Sequence, residues 1–382
     1  MTGLYIHIPF CKQACRYCDF YFTVTVRHMD ELVGCLVREM EQRKYEIEGE
    51  VLNSLYLGGG TPSLLGPRHL EKILSAVHRL FPFTEDPEIT LECNPDDLNR
   101  ETLDFLYLSG INRLSIGVQS FHPKELQLMR RSHSSDQAYQ SILEAAEAGF
   151  DNITIDLIYG IPGQTMKEWA SNLKRAISTP IAHLAAYHLT FEPGTVFEHW
   201  RKKGKIHQVS EETSIEQFKL LRKMTAAAGM EHYEISNFAR EKKYSLHNLL
   251  YWSGEPYMGV GPSAHSYDGS IRRWNIASLK KYVERIKLGQ PFSESERLTP
   301  RERYHDTLIT SLRTSRGLDP GMLEQRCGPS IRQFFDQKAA SFLEQGILVQ
   351  TGNNVVIHPE HWLIADHVFR ELFMDSLDDK DN

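Results

Sequence analysis

The 382-residue sequence lacks long apolar runs, an excess of basic residues and a high cysteine content. No run approaches the ~18 apolar residues of a membrane-spanning helix, so we expect no membrane span. Asp and Glu number 50 against 43 Lys and Arg, and phosphate binding needs a basic surface, so we expect no nucleic acid partner. Six cysteines are too few for a disulfide scaffold. Residues 4–8 already have a strand pattern, not a secretory signal, so we expect a cytoplasmic protein.

Half of the cysteines lie in one short segment with C-x3-C-x2-C spacing, formed by Cys11, Cys15 and Cys18. The other cysteines are scattered: Cys35, Cys93 and Cys327. Structural zinc takes four ligands, and complete iron–sulfur clusters normally use four cysteines. Three thiolates on an iron–sulfur cube leave one iron open to an external ligand. The spacing favours such a cluster, with three ordinary thiols or part of a zinc site as alternatives.

Six strand patterns alternate with helical patterns over about the first 230 residues. The predicted strands are 4–8, 54–57, 88–92, 113–116, 152–158 and 183–190. This alternation indicates parallel strands joined by helical crossovers. Because eight such units close a full barrel, six predict an α/β fold with an open, partial (β/α)6 barrel.

The sequence divides into three predicted domains. Residues 1–230 form the partial barrel, and residues 231–297 form a less regular extension rich in Gly, Tyr, His and Trp. Residues 298–382 contain helical patterns and a hairpin pattern at 346–358, an order similar to a winged helix. Because this last domain has no basic surface, we expect it to pack against protein rather than bind DNA.

With Tyr17 just before the third cysteine, the cysteine segment resembles the signature of the radical S-adenosylmethionine (SAM) superfamily. The resemblance implies a [4Fe–4S] cluster on Cys11, Cys15 and Cys18. It also implies that the open iron binds the amino and carboxylate groups of SAM. Barrel-type sites lie at the carboxyl ends of the strands, which is where the remaining candidate residues fall.

The same resemblance assigns further residues to SAM. Gly59, Gly60 and Thr61 lie in a Gly-Gly-Gly-Thr-Pro loop expected at the methionine amino group, although a tight turn alone would also favour glycine. Glu92 is expected at the ribose hydroxyls, with a solvated strand-end acid as the alternative. The other expected SAM contacts are Tyr5, Tyr17, Gln119, Arg131 and Asp156. We expect the last two to pair with each other, either around the amino acid part of SAM or as a structural ion pair.

Four segments resemble more narrowly the oxygen-independent coproporphyrinogen III dehydrogenase (oxidase) family. They are residues 5–11, 58–62, 117–119 and 259–265, and the last could lie near the adenosine. The likeness covers nearly the whole chain. One branch of this family decarboxylates porphyrinogen propionates through a SAM-derived radical. Another branch consists of haem chaperones, which bind haem and pass it to an acceptor protein such as a respiratory enzyme.

Three features favour the haem-chaperone branch. Phe20 stands where the dehydrogenases have a further cysteine, and the first strand pattern begins without their N-terminal arm. Residues 247–252 match an H-N-x-x-Y-W motif of the chaperones. Imidazole is a common axial ligand of haem, so we expect His247 to contact haem, with a packed, hydrogen-bonded histidine as the alternative.

The sequence therefore predicts a haem chaperone that holds a [4Fe–4S] cluster, SAM and haem. No catalytic residue is assigned, and whether SAM is cleaved stays open. A coproporphyrinogen dehydrogenase is the alternative. A zinc- or cluster-stabilised scaffold without SAM is a third reading, which the 58–62 loop and Glu92 disfavour.

Overall fold

The computed structural model describes residues 2–47 and 49–374, and in them a sheet of 12 strands organises the chain. Its strands are β1 (Thr2–Ile8), β2 (Leu52–Gly59), β3 (Phe83–Cys93), β4 (Arg113–Gln119), β5 (Ile153–Tyr159), β6 (His183–His188), β7 (Glu231–Glu234), β8 (Asn237–Ala239), β9 (Tyr257–Val260), β10 (His265–Tyr267), β11 (Ile271–Asn275) and β12 (Ser293–Arg297). Their order across the sheet is β12-β11-β10-β9-β1-β2-β3-β4-β5-β6-β8-β7.

The six strands β1 to β6 lie side by side in chain order, and each is parallel to the next. The predicted strand–helix alternation is therefore confirmed. Within the described residues the sheet stays open, because β12 and β7 form its two edges and do not pair with each other. This is the α/β fold with an open, partial barrel that the sequence predicts.

Helices cover the outer face of the parallel strands and continue beyond them. They are α1 (Met29–Arg43), α2 (Pro67–Leu80), α3 (Arg100–Leu108), α4 (Pro123–Met129), α5 (Ser135–Glu147), α6 (Met166–Ile177), α7 (Val196–Lys202), α8 (Glu211–Ala227), α9 (Leu246–Ser253), α10 (Leu279–Leu288), α11 (Pro300–Leu312), α12 (Pro320–Cys327), α13 (Pro329–Glu344) and α14 (Ala365–Leu372). In the described part of the chain, every helix is too short or too polar to cross a membrane.

The side chains of β1 show how the sheet separates its core from its inner face. Leu4, Ile6 and Ile8 are fully buried in the main hydrophobic core. Tyr5 and His7 alternate with them and line a cavity instead. Because side chains alternate across a strand, polar residues between apolar ones reach the inner face. The parallel strands therefore present their polar side chains to one shared space.

Residues 231–297 are more regular than the sequence pattern predicts. They contain the strands β7 to β12 and the helices α9 and α10. The strands β7 and β8 extend the sheet beyond β6, and β9 pairs with β1 and leads to the opposite edge. Each strand has only three to five residues, too few for a visible periodicity. The domain boundaries at 230 and 297 stay predictions.

After residue 298 the chain forms the helices α11, α12 and α13, then the hairpin of β13 (Leu348–Thr351) and β14 (Asn354–Ile357), and then α14. The sequence predicts this order apart from α12. The hairpin contacts the segment between α11 and α12 through an isolated antiparallel β-bridge between Leu318 and Val355. The side chains of α11 and α12 reach the inner face of the large sheet, where they border the cavity that Tyr5 and His7 line.

Candidate cofactor site

A cavity of about 470 Å³ lies at the carboxyl ends of the parallel strands. We call it the first cavity. Of the thirteen site residues that the sequence predicts, eleven line it: Cys11, Cys15, Tyr17, Cys18, Gly59, Gly60, Thr61, Glu92, Gln119, Arg131 and Asp156. They come from separate strands and loops, so only the fold brings them together. Tyr5 and His247 are not among its lining residues.

The three cysteines of the 11–18 segment are unbridged and partly exposed to this cavity. Arg131 donates a hydrogen bond from Nη1 to Cys15 Sγ at 3.3 Å, and Thr61 donates from Oγ1 to Cys11 Sγ at 3.6 Å. Burial raises the pKa of Cys11 and raises the pKa of Cys18 to about 12. Donors aimed at two sulfurs are the surroundings that anionic sulfur ligands need.

The three cysteines supply the type of donor atom that an iron–sulfur cluster takes. Within the described residues, no three side chains of His, Cys, Asp or Glu converge closely enough to hold one metal ion. A structural zinc requires such convergence. The cysteines of an iron–sulfur cube each bind a different iron, so they stand further apart around it. Three thiols that line one cavity, with donors aimed at the sulfurs of Cys11 and Cys15, are the donor set that the predicted cluster would use, and the cluster itself stays a prediction.

Arg131 corrects one expectation, because it forms no ion pair with Asp156. Its guanidinium donates to Cys15 Sγ, to Tyr17 Oη at 3.4 Å and to Asn94 Oδ1 at 2.6 Å. Its Nε is buried without a partner among the described residues. Arg131 thus extends toward the cysteine segment rather than toward β5. Sequence reasoning missed Asn94, for which the position just after β3 was the available signal.

Glu92 is held in place by two donors. Its Oε1 accepts a hydrogen bond from Tyr56 Oη at 2.8 Å, and its Oε2 accepts one from the backbone N–H of Gly59 at 3.0 Å. Burial raises the pKa of Glu92. A carboxylate has about four lone-pair positions, so two remain for hydroxyl donors in the cavity. Tyr56 was missed by sequence reasoning, although it alternates with apolar residues on β2.

The glycines at 59 and 60 are explained by close packing alone. Gly59 has φ of +109°, and a Cβ there would overlap the imidazole of His7. A Cβ on Gly60 would lie 2.6 Å from the carbonyl oxygen of Phe10. Both observations agree with the turn-like alternative. Contact between this loop and SAM stays a prediction.

Gln119 has a backbone conformation that is rare for a residue with a side chain. It ends β4 with φ of +64°, in the left-handed region, and it lines the first cavity. The pairing between β4 and β5 shifts register just before it. Such strain persists only where the surrounding structure enforces it, and it concentrates at functional sites. Gln119 therefore stands out as a site residue on backbone geometry as well as on its sequence motif.

Asp156 lies on β5 and faces the first cavity, and within the described residues it forms no salt bridge, although Arg131 and Arg113 are near enough to act on its charge. Burial, followed by the charge of Glu92, raises its pKa to about 7. In the unfolded chain the pKa is about 3.9. The folded state therefore binds this proton more tightly, so ionisation destabilises the fold as pH rises from about 4 through about 7.

We expect Asp156→Asn to increase the free energy of unfolding at pH 8 by about 4 kcal/mol, with a gain that shrinks toward zero as pH falls to about 4. Urea denaturation at both pH values measures this difference. Asp86→Asn, at an exposed position, serves as the control and should change stability little. Equal gains at both pH values would show that the pKa of Asp156 is not raised.

A second cavity of about 570 Å³ lies beside the first, between the inner face of the sheet and the helices α11 and α12. Tyr5 lines this cavity rather than the first. Tyr251 and Trp252 of the H-N-x-x-Y-W motif line it too. Phe20 borders both cavities, and its side chain is 67% exposed. The two cavities therefore meet at Phe20 and at Asp19, which also borders both.

His247 is buried beneath the second cavity and does not line it. Its Nδ1 lies 2.8 Å from Ser54 Oγ, and its Nε2 lies 2.8 Å from Tyr251 Oη. Burial lowers its pKa to about 3. Both ring nitrogens are occupied by hydrogen bonds, so iron ligation would require at least one of them to break. Haem ligation by His247 stays a prediction.

Comparison with known families agrees with this arrangement. The radical SAM superfamily matches residues 5–176, and the HemN C-terminal domain matches residues 298–364. The chain is 34% identical to the haem chaperone HemW of Bacillus subtilis, over 97% of this chain and 98% of that one. It is 32% identical to the haem chaperone HemW of Lactococcus lactis, over 98% of both chains.

Among solved structures, coproporphyrinogen III oxidase (HemN) from Escherichia coli, described as a radical SAM enzyme, is similar in fold. The TM-score is 0.83 at 25% sequence identity, and the match covers 97% of this chain and 89% of that chain. The similarity therefore includes the C-terminal helices and hairpin as well as the large sheet.

Proposed function

The chain belongs to the radical SAM superfamily and, within its coproporphyrinogen oxidase-like family, groups with the HemW chaperones, and on this premise we propose that it binds haem and transfers it to an acceptor protein. The observation that carries the proposal is the similarity to proteins named haem chaperones over nearly the full chain. A respiratory enzyme is the class of acceptor we expect. The six unbridged cysteines support a reducing compartment such as the cytoplasm.

A [4Fe–4S] cluster on Cys11, Cys15 and Cys18, with SAM in the first cavity, is the cofactor set that we propose. A cluster held there, once reduced by an external electron donor, would supply the electron for cleavage of bound SAM. The chain itself holds the sulfurs and the ligand. Arg131 donates to Cys15 Sγ. Tyr56 orients Glu92, whose remaining lone pairs can accept from ribose hydroxyls.

Haem is proposed to contact the H-N-x-x-Y-W motif. The support is that Tyr251 and Trp252 line the second cavity, and that Nε2 of His247 lies 2.8 Å from the Tyr251 hydroxyl. Large aromatic faces suit a flat macrocycle, because they bury a wide apolar area. Phe20 in place of a further cysteine distinguishes this chain from the dehydrogenase branch.

The alternative is a coproporphyrinogen dehydrogenase, and the fold similarity to the Escherichia coli enzyme favours it. Anaerobic cluster reconstitution, followed by parallel haem titration and coproporphyrinogen turnover, separates the two functions. We expect one haem per chain and little porphyrinogen product. Repeated turnover with consumption of SAM would replace the chaperone function by the enzymatic one.

Glu92→Gln should weaken SAM binding and leave iron content unchanged. Losing the charge of an acceptor bonded to ribose costs on the order of 1–3 kcal/mol, or about 5- to 150-fold in affinity. Equilibrium dialysis of SAM with reconstituted protein measures the change. Glu284→Gln, at an exposed position of α10, is the matched control. Unchanged SAM affinity in the Glu92 variant would place this residue outside the SAM site.

A further inference from the structure

The second cavity has the size and the lining of a site for a large, flat, mainly apolar ligand. Its volume of about 570 Å³ lies within the range of small-molecule and cofactor sites. Seven of its lining residues are aromatic, among them Trp252, Tyr257 and Tyr267. Tyr257 and Tyr267 are directly paired across the strands β9 and β10, with ring centroids 6.4 Å apart. The cavity thus has a continuous aromatic wall.

Two histidines line this cavity, and they differ in whether their ring nitrogens already form hydrogen bonds. His7 has both ring nitrogens in contact with protein oxygens, at 3.1 Å from Tyr5 Oη and 2.9 Å from Tyr21 O. His265 is exposed, and within the described residues its ring forms no hydrogen bond.

The position of His265 on β10 points its side chain toward the same space. Side chains two residues apart share one face of a strand, so His265 accompanies Tyr267. Ser266, between them, is buried on the opposite face and donates from Oγ to the carbonyl of Gly259 at 3.4 Å. The strand therefore fixes the imidazole at the edge of the aromatic wall.

The charged side chains of the cavity are Asp19, just after the cysteine segment, Arg272 on β11, Asp306 on α11 and Arg326 on α12. Arg272 is paired with Asp306 of α11 and lies 3.6 Å from Glu296, so carboxylates already balance its charge. Arg326 of α12 donates from Nη2 to the carbonyl oxygen of Ser253 at 3.2 Å. A guanidinium with a neutral carbonyl as acceptor retains its full charge for a carboxylate ligand.

We propose that haem occupies the second cavity, with the imidazole of His265 as an iron ligand and the guanidinium of Arg326 on a propionate carboxylate. This inference rests on the haem-chaperone function proposed above and assigns a location to the haem. It places His247 in a positioning role, because its hydrogen bond to Tyr251 holds part of the aromatic wall. Haem would then lie next to the first cavity, with Phe20 between them.

The test is a titration of ferric haem into the full-length, cluster-reconstituted protein, followed through the Soret band. His265→Ala should lose the spectrum of imidazole-ligated haem and bind haem at least about tenfold more weakly. Imidazole added to the buffer should restore the ligated spectrum. His265→Gln provides a second variant of similar size. His207→Ala, at another exposed position, should behave as the unsubstituted protein.

Two further ligands separate the contributions of iron and carboxylate. Metal-free protoporphyrin should bind His265→Ala and the unsubstituted protein equally, because it has no iron to ligate. Arg326→Ala should weaken haem binding about tenfold but leave haem dimethyl ester unaffected, since the ester has no carboxylate. Arg332→Ala, at a half-buried position of α13 that lines neither cavity and is paired with Asp336, is the control.

Three other results of the haem titration would contradict either the proposed function or the assigned iron ligand. If the unsubstituted protein binds no haem, the proposed chaperone function itself fails. If it binds haem and both His265 variants retain the spectrum and the affinity, the assigned ligand is wrong. Loss of the ligated spectrum in His247→Ala, with His265→Ala unchanged, would transfer the ligand role to His247.

Discussion

Replacing Cys11, Cys15 or Cys18 with alanine is expected to reduce bound iron from about four atoms per chain to nearly none after anaerobic reconstitution. Each of these cysteines would bind a different iron of the cube, and the segment between 11 and 18 has no spare thiol. With two thiolates, the cube would expose two irons rather than one. Iron and sulfide analysis measures the loss. The EPR signal of the reduced cluster, and its change with SAM, should disappear in all three variants.

Two other cysteines provide matched controls for this result. Cys93 lines the first cavity, but it is buried and contacts the carbonyl oxygen of Leu91 through Sγ at 3.5 Å. Cys327 lies at the end of α12 and lines neither cavity. Both Cys93→Ala and Cys327→Ala should retain full iron content. Stoichiometric zinc in the unsubstituted protein, without an EPR signal, would exclude the cluster.

Arg43→Met is expected to lower the free energy of unfolding by about 3–5 kcal/mol. Arg43 donates from Nη1 to Glu39 Oε1 at 2.5 Å, and Glu39 is 0% exposed. The same carboxylate accepts from Asn275, from the N–H of Gly261 and from Tyr282. This network joins α1 to β11, to α10 and to the 261 turn. Removing the guanidinium leaves a buried negative charge without its cation.

Urea denaturation of two further variants tests this explanation. Glu39→Gln combined with Arg43→Met should recover part of the loss, because no unpaired buried charge remains. Arg79→Met removes the cation of an exposed pair with Glu41, and should cost no more than about 1 kcal/mol. If Arg43→Met costs as little as Arg79→Met, solvent or another cation compensates Glu39, and the buried pair does not stabilise the fold.

Local sequence patterns correctly predicted those structural features that depend on residues close together in the sequence. Short strand patterns that alternate with helical patterns predicted the six parallel strands, because a strand followed by a helical crossover returns parallel to the first strand. The spacing of the three cysteines predicted a shared centre, since the loop itself limits their separation. The strand-end positions of Glu92, Gln119 and Asp156 predicted one cavity, because parallel strands end at the same edge of a sheet.

Contacts between distant segments were less predictable. Arg131 was expected to pair with Asp156, but it instead reaches Asn94 and the cysteine segment. The buried network around Glu39 had no sufficient sequence signal, because its partners other than Arg43 lie more than 200 residues away. The short strands of 231–297 were missed for the same reason. Their pairing partners, rather than their own periodicity, make them strands.

By itself the sequence determined the α/β class, the open barrel of six parallel strands, the cysteine segment and the membership in the radical SAM superfamily. Each follows from residue types at fixed local spacing. Only the tertiary structure decided that Tyr5, Tyr251 and Tyr257 share a second cavity, and that His247 is buried while His265 is exposed. Exposure and hydrogen-bond partners depend on which distant segments pack together, and local spacing does not specify that packing.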